Sequence, residues 1–128
     1  MDQIHVRLDE YARSIPELAV VRNDVYARFS HAAYNKGTAL AEITKLNGLH
    51  RNQVFAVGDH LNDLPMLKTE FAAFIATTSN AVPEVRTAVM HARGFISNLP
   101  QGKGVADALR FFNQNLAGYT PTSQKQRF

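Results

Sequence analysis

The chain has 128 residues, 45% hydrophobic and 20% charged, with a formal charge of +3 and no cysteine. That length holds at most one ordinary domain with a real core, and the composition excludes a disordered chain, a disulfide framework and thiolate chemistry. No apolar run approaches the roughly 18 residues of a membrane helix, and the scattered basic residues lack the patch of a nucleic-acid binder. The opening "MDQIHVRLDEYARS" has no apolar signal-peptide core. The expectation is a cytoplasmic protein with neither membrane nor nucleic acid as partner.

In chain order, residues 5–18 read as a short helix interrupted near Pro16. "LAVVRNDVYARFS" has two β-rich runs flanking Arg22, Asn23 and Asp24, a hairpin pattern. After the connector "HAAYNKG", a helix is expected from Thr38, with Leu40, Ile43, Thr44 and Leu46 at helical spacing and Gly48 at its end. "QVFAV" is a continuous apolar strand, as in a sheet buried on both faces. "NDLPMLKT" then starts a helix, with Asn62 near the N-cap and Pro65 in the first turn. A strand "FAAFIAT", a helix "AVPEVRTAVM", a short strand "GFIS" and an amphipathic helix "GVADALRFFNQNL" follow. That last helix carries Val105, Leu109, Phe112 and Leu116 on one face, and Phe111 and Phe112 read as core. Residues 118–128 are a polar tail. Strand–helix alternation from Gln53 to Leu116 predicts an α/β fold with parallel strands and right-handed crossovers, in which ligands bind at the carboxyl ends of the strands.

Asp59 falls at such an end, followed by Asn62 and Asp63. Two readings stay open on the residues alone. Asp and Asn are common turn formers and helix caps. They are also oxygen ligands for a hard cation such as Mg²⁺, which takes one or two protein carboxylates. Lys36 sits at a helix N-terminus, where the dipole disfavours cations. It is either solvated or turned toward the strand-end crevice to hold a phosphate oxygen.

The segments "NKGTAL", "GDHLNDLPML", "SNAVPEV" and "GKGVADAL" occur in this order over residues 35–112. Together they resemble the C-terminal half of a haloacid dehalogenase (HAD) superfamily phosphatase of the Cof-like, sugar-phosphatase-like branch. The resemblance implies a partial Rossmann-like core of three α/β/α layers at 33–117, preceded at 1–32 by a cap-domain remnant and its return linker. It implies that Lys36 is catalytic and contacts the phosphoryl group, that Asp59 and Asp63 serve Mg²⁺, and that Asn62 and Asn80 border the substrate. At Asn80 the family often has a preceding glycine, where this chain has Thr77, Thr78 and Ser79. The implied substrate is a small phosphorylated sugar or metabolite.

The family's nucleophile lies in a D-x-D-x-[TV] motif, and none of the six aspartates (Asp2, Asp9, Asp24, Asp59, Asp63, Asp107) is one residue from another. The expectation is therefore a C-terminal portion of a Mg²⁺-dependent phosphohydrolase, inactive alone. The alternative is a partner-dependent or non-catalytic metal- and phosphate-binding module. Since the absent motif's strand would lie beside "QVFAV", pairing with an N-terminal half or self-association is expected. The five histidines show no zinc spacing, no serine lies in G-x-S-x-G, and "QGKG" lacks a full phosphate-loop frame. His31 reads as an exposed loop residue or one that approaches the crevice.

Overall fold

The computed structural model describes residues 2–23 and 25–116; the expected tail at 118–128 lies outside the described residues. Helix α1 (Asp2–Arg13) starts and ends earlier than the 5–18 reading. The amides of Ser14 and Ile15 turn back onto the carbonyls of Tyr11 and Ala12, and Glu17 at φ +63° redirects the chain. The exit is thus complete before Pro16. Strands β1 (Leu18–Asn23) and β2 (Tyr26–His31) form the expected antiparallel hairpin, with Val20 opposite Phe29. Its open end is closed by the Ala32 amide on the Glu17 carbonyl at 2.7 Å. Tyr11 of α1 lies against Phe29, ring centres 6.0 Å apart.

Helix α2 (Lys36–Leu46) begins at Lys36 rather than Thr38 because Asn35 caps it. The Asn35 carboxamide oxygen accepts from the Thr38 amide, and the Thr38 hydroxyl accepts from the Asn35 amide, each at 3.0 Å. This reciprocal cap satisfies two donors that a helix start otherwise leaves open. At the far end Gly48 (φ +62°) donates to Lys45 and Leu49 donates to Thr44, a Schellman closure.

Strands β3 (Phe55–Val57), β4 (Phe74–Thr77) and β5 (Phe95–Ile96) form a parallel sheet in the order β3-β4-β5. Alternation puts Phe55, Phe74, Ala76 and Phe95 on one face and Ala56, Ile75, Thr77 and Ile96 on the other. Helix α3 (Pro83–His91), with proline at its first position, buries Val85 and Val89 with Ala56 and Ile75 in one core cluster. Helix α4 (Gln101–Leu116) covers the phenylalanine face, which completes the three α/β/α layers. Full burial of side chains such as Ile75, Val85 and Val89 contributes roughly 1.5–3 kcal/mol each.

Two elements differ from expectation. In α4 the buried positions are Gly104 and Ala108, while Leu109 is 49% and Leu116 40% exposed. The helix is rolled so that Phe112 sits edge-on to Phe55 and Phe74, with centroids 5.8 and 5.3 Å away. Phe111 stacks on Phe95 at 4.2 Å and stays partly exposed. Aromatic fit to the sheet therefore overrides the Leu109–Leu116 stripe. The segment after β3 forms only a short 3-10 helix, Leu61–Met66, with His60 rather than Asn62 at the N-cap position. Pro65 has no amide hydrogen to continue an α-helical ladder.

The rolled α4 face predicts unequal costs in urea denaturation. Phe112→Ala should lower stability by about 3 kcal/mol, whereas Leu109→Ala should stay within about 0.5 kcal/mol.

Candidate active site

Beyond Val57 the chain leaves the sheet at Gly58, whose carbonyl accepts the Thr77 hydroxyl at 2.7 Å. The next residues wrap around one carboxylate. Asp63 is 5% exposed, and its Oδ2 accepts the amides of Asp59 (3.0 Å) and His60 (3.2 Å). Its Oδ1 forms an ion pair with the Lys36 ammonium. Gly58 allows this closeness, since a Cβ there would fall 2.3 Å from the Asp63 Cβ. Gly37 does the same on the other side: its absent Cβ would lie 2.3 Å from the Pro65 carbonyl oxygen. Helix α2 thereby seats its first turn against the 61–66 turn, and Lys36 reaches Asp63 across 27 residues of sequence. The cation at a helix N-terminus is disfavoured by the dipole, and the buried carboxylate offsets that cost. The Lys36 side chain remains 48% exposed.

Asp59 is exposed and differently held. Its Oδ2 accepts the Asn80 amide nitrogen at 2.9 Å. Asn80 Oδ1 in turn accepts the Gln101 amide at 2.7 Å and the Thr78 hydroxyl at 2.9 Å. A backbone amide only donates, so the carboxamide oxygen must face Gln101 and the nitrogen must face Asp59. The Asp59 carbonyl also accepts the Val82 amide at 3.0 Å. Asp59 Oδ1 carries no hydrogen bond from any described residue.

The predicted residues thus meet in one place. Lys36, Asp59, Asp63 and Asn80 are linked, and Asn62 sits in the intervening turn, on a groove that Lys36 also lines. The Thr77-Thr78-Ser79 loop, without the glycine, still brings Asn80 to Asp59, because Thr78 anchors it and Ser79 donates to the Leu99 carbonyl. His31 is exposed and pairs with Glu17 at 3.3 Å. Sequence reasoning missed Thr78 and Gln101 as holders of Asn80. The signal for Gln101 is its φ of +48°, which no sequence pattern announces.

Among the described residues no three His, Asp or Glu side chains cluster as a ready-made metal cage. The donor set nevertheless fits one corner of a hard-cation site, with Asp59 Oδ1 as a carboxylate oxygen that accepts from no described residue. Mg²⁺ usually takes few protein ligands and completes its shell with water and substrate phosphate. Asp63, with both oxygens engaged, fits the part of orienting the loop that presents Asp59.

The chain is similar to several known proteins. Phosphoglycolate phosphatase of Methanothermobacter thermautotrophicus is 35% identical over 78 residues, covering 61% of this chain and 33% of that protein. The phosphatase BT1666 from Bacteroides thetaiotaomicron superposes with TM-score 0.73 at 23% identity, over 84% of this chain and 38% of that one. The HAD subclass IIB sugar phosphatase BT4131 superposes with TM-score 0.70 at 22% identity, over 85% and 40%. The chain spans between 27 and 41% of the length of the curated relatives it matches. No described helix is long and apolar enough to cross a membrane. Residues 2–109 match the model of the haloacid dehalogenase-like hydrolase family. On that match the chain belongs to the haloacid dehalogenase-like hydrolases.

Proposed function

We propose that residues 33–117 form the cation- and phosphate-binding half of a Mg²⁺-dependent phosphate monoester hydrolase. In this reading residues 1–32 are the end of a cap and its return to the core. The observation that carries it is the half-exposed Lys36 side chain held on buried Asp63, whose carboxylate also binds the backbone amide of Asp59 at the strand end. Phosphoryl transfer depends chiefly on positioning and on neutralising charge at the equatorial oxygens. Lys36 supplies a positive charge at the strand end, and Asn62 a neutral donor beside it. A divalent ion held at Asp59 would polarise a phosphoryl oxygen. Asp63 keeps the loop and the ammonium in register. The substrate class is a small phosphorylated metabolite, in line with the phosphatases among its relatives.

The attacking group comes from elsewhere in this proposal. Asp59 serves the cation, Asp63 is engaged at both oxygens, Asp9 pairs with His5 and Asp107 accepts from Ser97. No two of the six aspartates stand one residue apart, so in this proposal the chain alone is inactive and a partner segment bearing a D-x-D-x-[TV] motif completes it. Two surfaces favour such a partner. Strand β3 pairs on one side only among the described strands, and Ile43 and Leu46 of α2 are 56% and 75% exposed. Open edges and apolar helix faces are normally covered.

Three outcomes check the proposal. At ten times its dissociation constant, Mg²⁺ should stabilise the wild-type chain by about 1.4 kcal/mol in thermal denaturation, and Asp59→Asn should abolish that gain; equal behaviour of the two chains rejects the cation site. Asp63→Asn should cost roughly 2–3 kcal/mol of stability without Mg²⁺, because two amides and an ammonium lose an ionised acceptor. Light scattering should find the isolated chain self-associated, and co-expression with a segment carrying the nucleophile motif should yield a complex that turns over phosphate esters. A monomer that such a segment neither binds nor activates counts against the partner.

A further inference from the structure

We infer that Asn80 sets the ion preference of the site: by holding Oδ2 of Asp59 it makes that carboxylate a one-oxygen ligand, which favours Mg²⁺ over Ca²⁺. This rests on the cation-site reading above and adds to it the residue that discriminates between hard cations. Asp59 Oδ2 accepts from Asn80 Nδ2 at 2.9 Å, while Oδ1 accepts from no described residue. An ion that needs both oxygens must first displace Asn80. A cation drawn onto Oδ2 would also meet the partial positive charge of the Asn80 amide hydrogens.

Asn80 is placed to resist that displacement. Its Oδ1 accepts the Gln101 amide and the Thr78 hydroxyl. A flipped carboxamide would set its nitrogen against the Gln101 N–H and its oxygen against a carboxylate, which only accepts. Thr78 is 3% exposed and packs against α4 at Gly104, where a Cβ would fall 2.6 Å from the Thr78 Cγ2. The backbone around Asp59 is held as well. The Thr77 hydroxyl donates to the Gly58 carbonyl, the Val82 amide to the Asp59 carbonyl, and the Asp59 amide to Asp63 Oδ2.

The two ions differ in how they use a carboxylate. Ca²⁺ takes about six to eight oxygens at roughly 2.3–2.6 Å and often binds a carboxylate through both of its oxygens. Mg²⁺ requires a near-regular octahedron at about 2.0–2.1 Å. The two oxygens of one carboxylate lie too close together to fill adjacent corners of that octahedron. Restricting Asp59 to Oδ1 therefore takes nothing from Mg²⁺ and removes one ligand from Ca²⁺.

Calorimetric titration of the chain with MgCl₂ and, separately, with CaCl₂ tests this. The wild-type chain should bind Mg²⁺ at least as tightly as Ca²⁺. Asn80→Ala should tighten Ca²⁺ about tenfold, the worth of one hydrogen bond to a charged group, and leave Mg²⁺ within about twofold. Thr78→Val keeps the side-chain shape, removes one donor from the carboxamide and should tighten Ca²⁺ by about two- to threefold; it carries the test if Asn80→Ala does not fold. A residue that merely tied two loops together would not improve the binding of one ion when removed. A wild-type preference for Ca²⁺, or a Mg²⁺ to Ca²⁺ ratio unchanged in the variants, overturns the role of Asn80. Mg²⁺ binding that Asp59→Asn abolishes leaves the cation site standing in that case. If neither ion binds the wild-type chain, both readings fall.

Discussion

The ion pair of Lys36 with Asp63 is the contact on which the site's geometry depends. One carboxylate receives an ammonium from the start of α2 and two amides from the turn after β3. A buried charge is tolerated only when paired and hydrogen-bonded, and this one is both. Because its donors come from residues 36, 59 and 60, a single side chain fixes the relative position of two elements far apart in sequence. The close approaches at Gly37 and Gly58 leave room for that convergence.

The sheet supplies the rigid base for this knot. Short parallel strands with α3 on one face and α4 on the other leave their carboxyl ends as the place where loops gather. The loop after β3 carries Asp59 and the loop after β4 carries Asn80, so strand pairing sets their approach before any side-chain bond forms. The cation-binding reading needs only that approach and one free oxygen.

Much of this is legible in the sequence. The apolar run "QVFAV" ending in Gly-Asp locates the strand end, and the hairpin, Gly48 closure and Pro83 helix start follow from local turn and capping chemistry. Lys36, Asp59, Asp63 and Asn80 stand out through the resemblance of their motifs. What the sequence hides is tertiary. The roll of α4 comes from rings of Phe55, Phe74 and Phe95 that only the folded sheet assembles. The 3-10 turn at 61–66 comes from a proline that reads equally well as an ordinary helix start. Whether Asp63 ligates or orients depends on where its two oxygens point, which spacing does not encode.

The series Gln101 amide, Asn80 carboxamide, Asp59 carboxylate has a consequence for dynamics. Fraying of the first turn of α4 removes one of the two donors on the Asn80 oxygen, leaving the Thr78 hydroxyl, and so loosens the carboxamide that holds Asp59. Local opening of a helix end and order at the strand-end carboxylate are then coupled. Whatever occupies Asp59 draws down the open population and slows hydrogen exchange at Gln101, so that a backbone amide becomes a reporter of the site's occupancy.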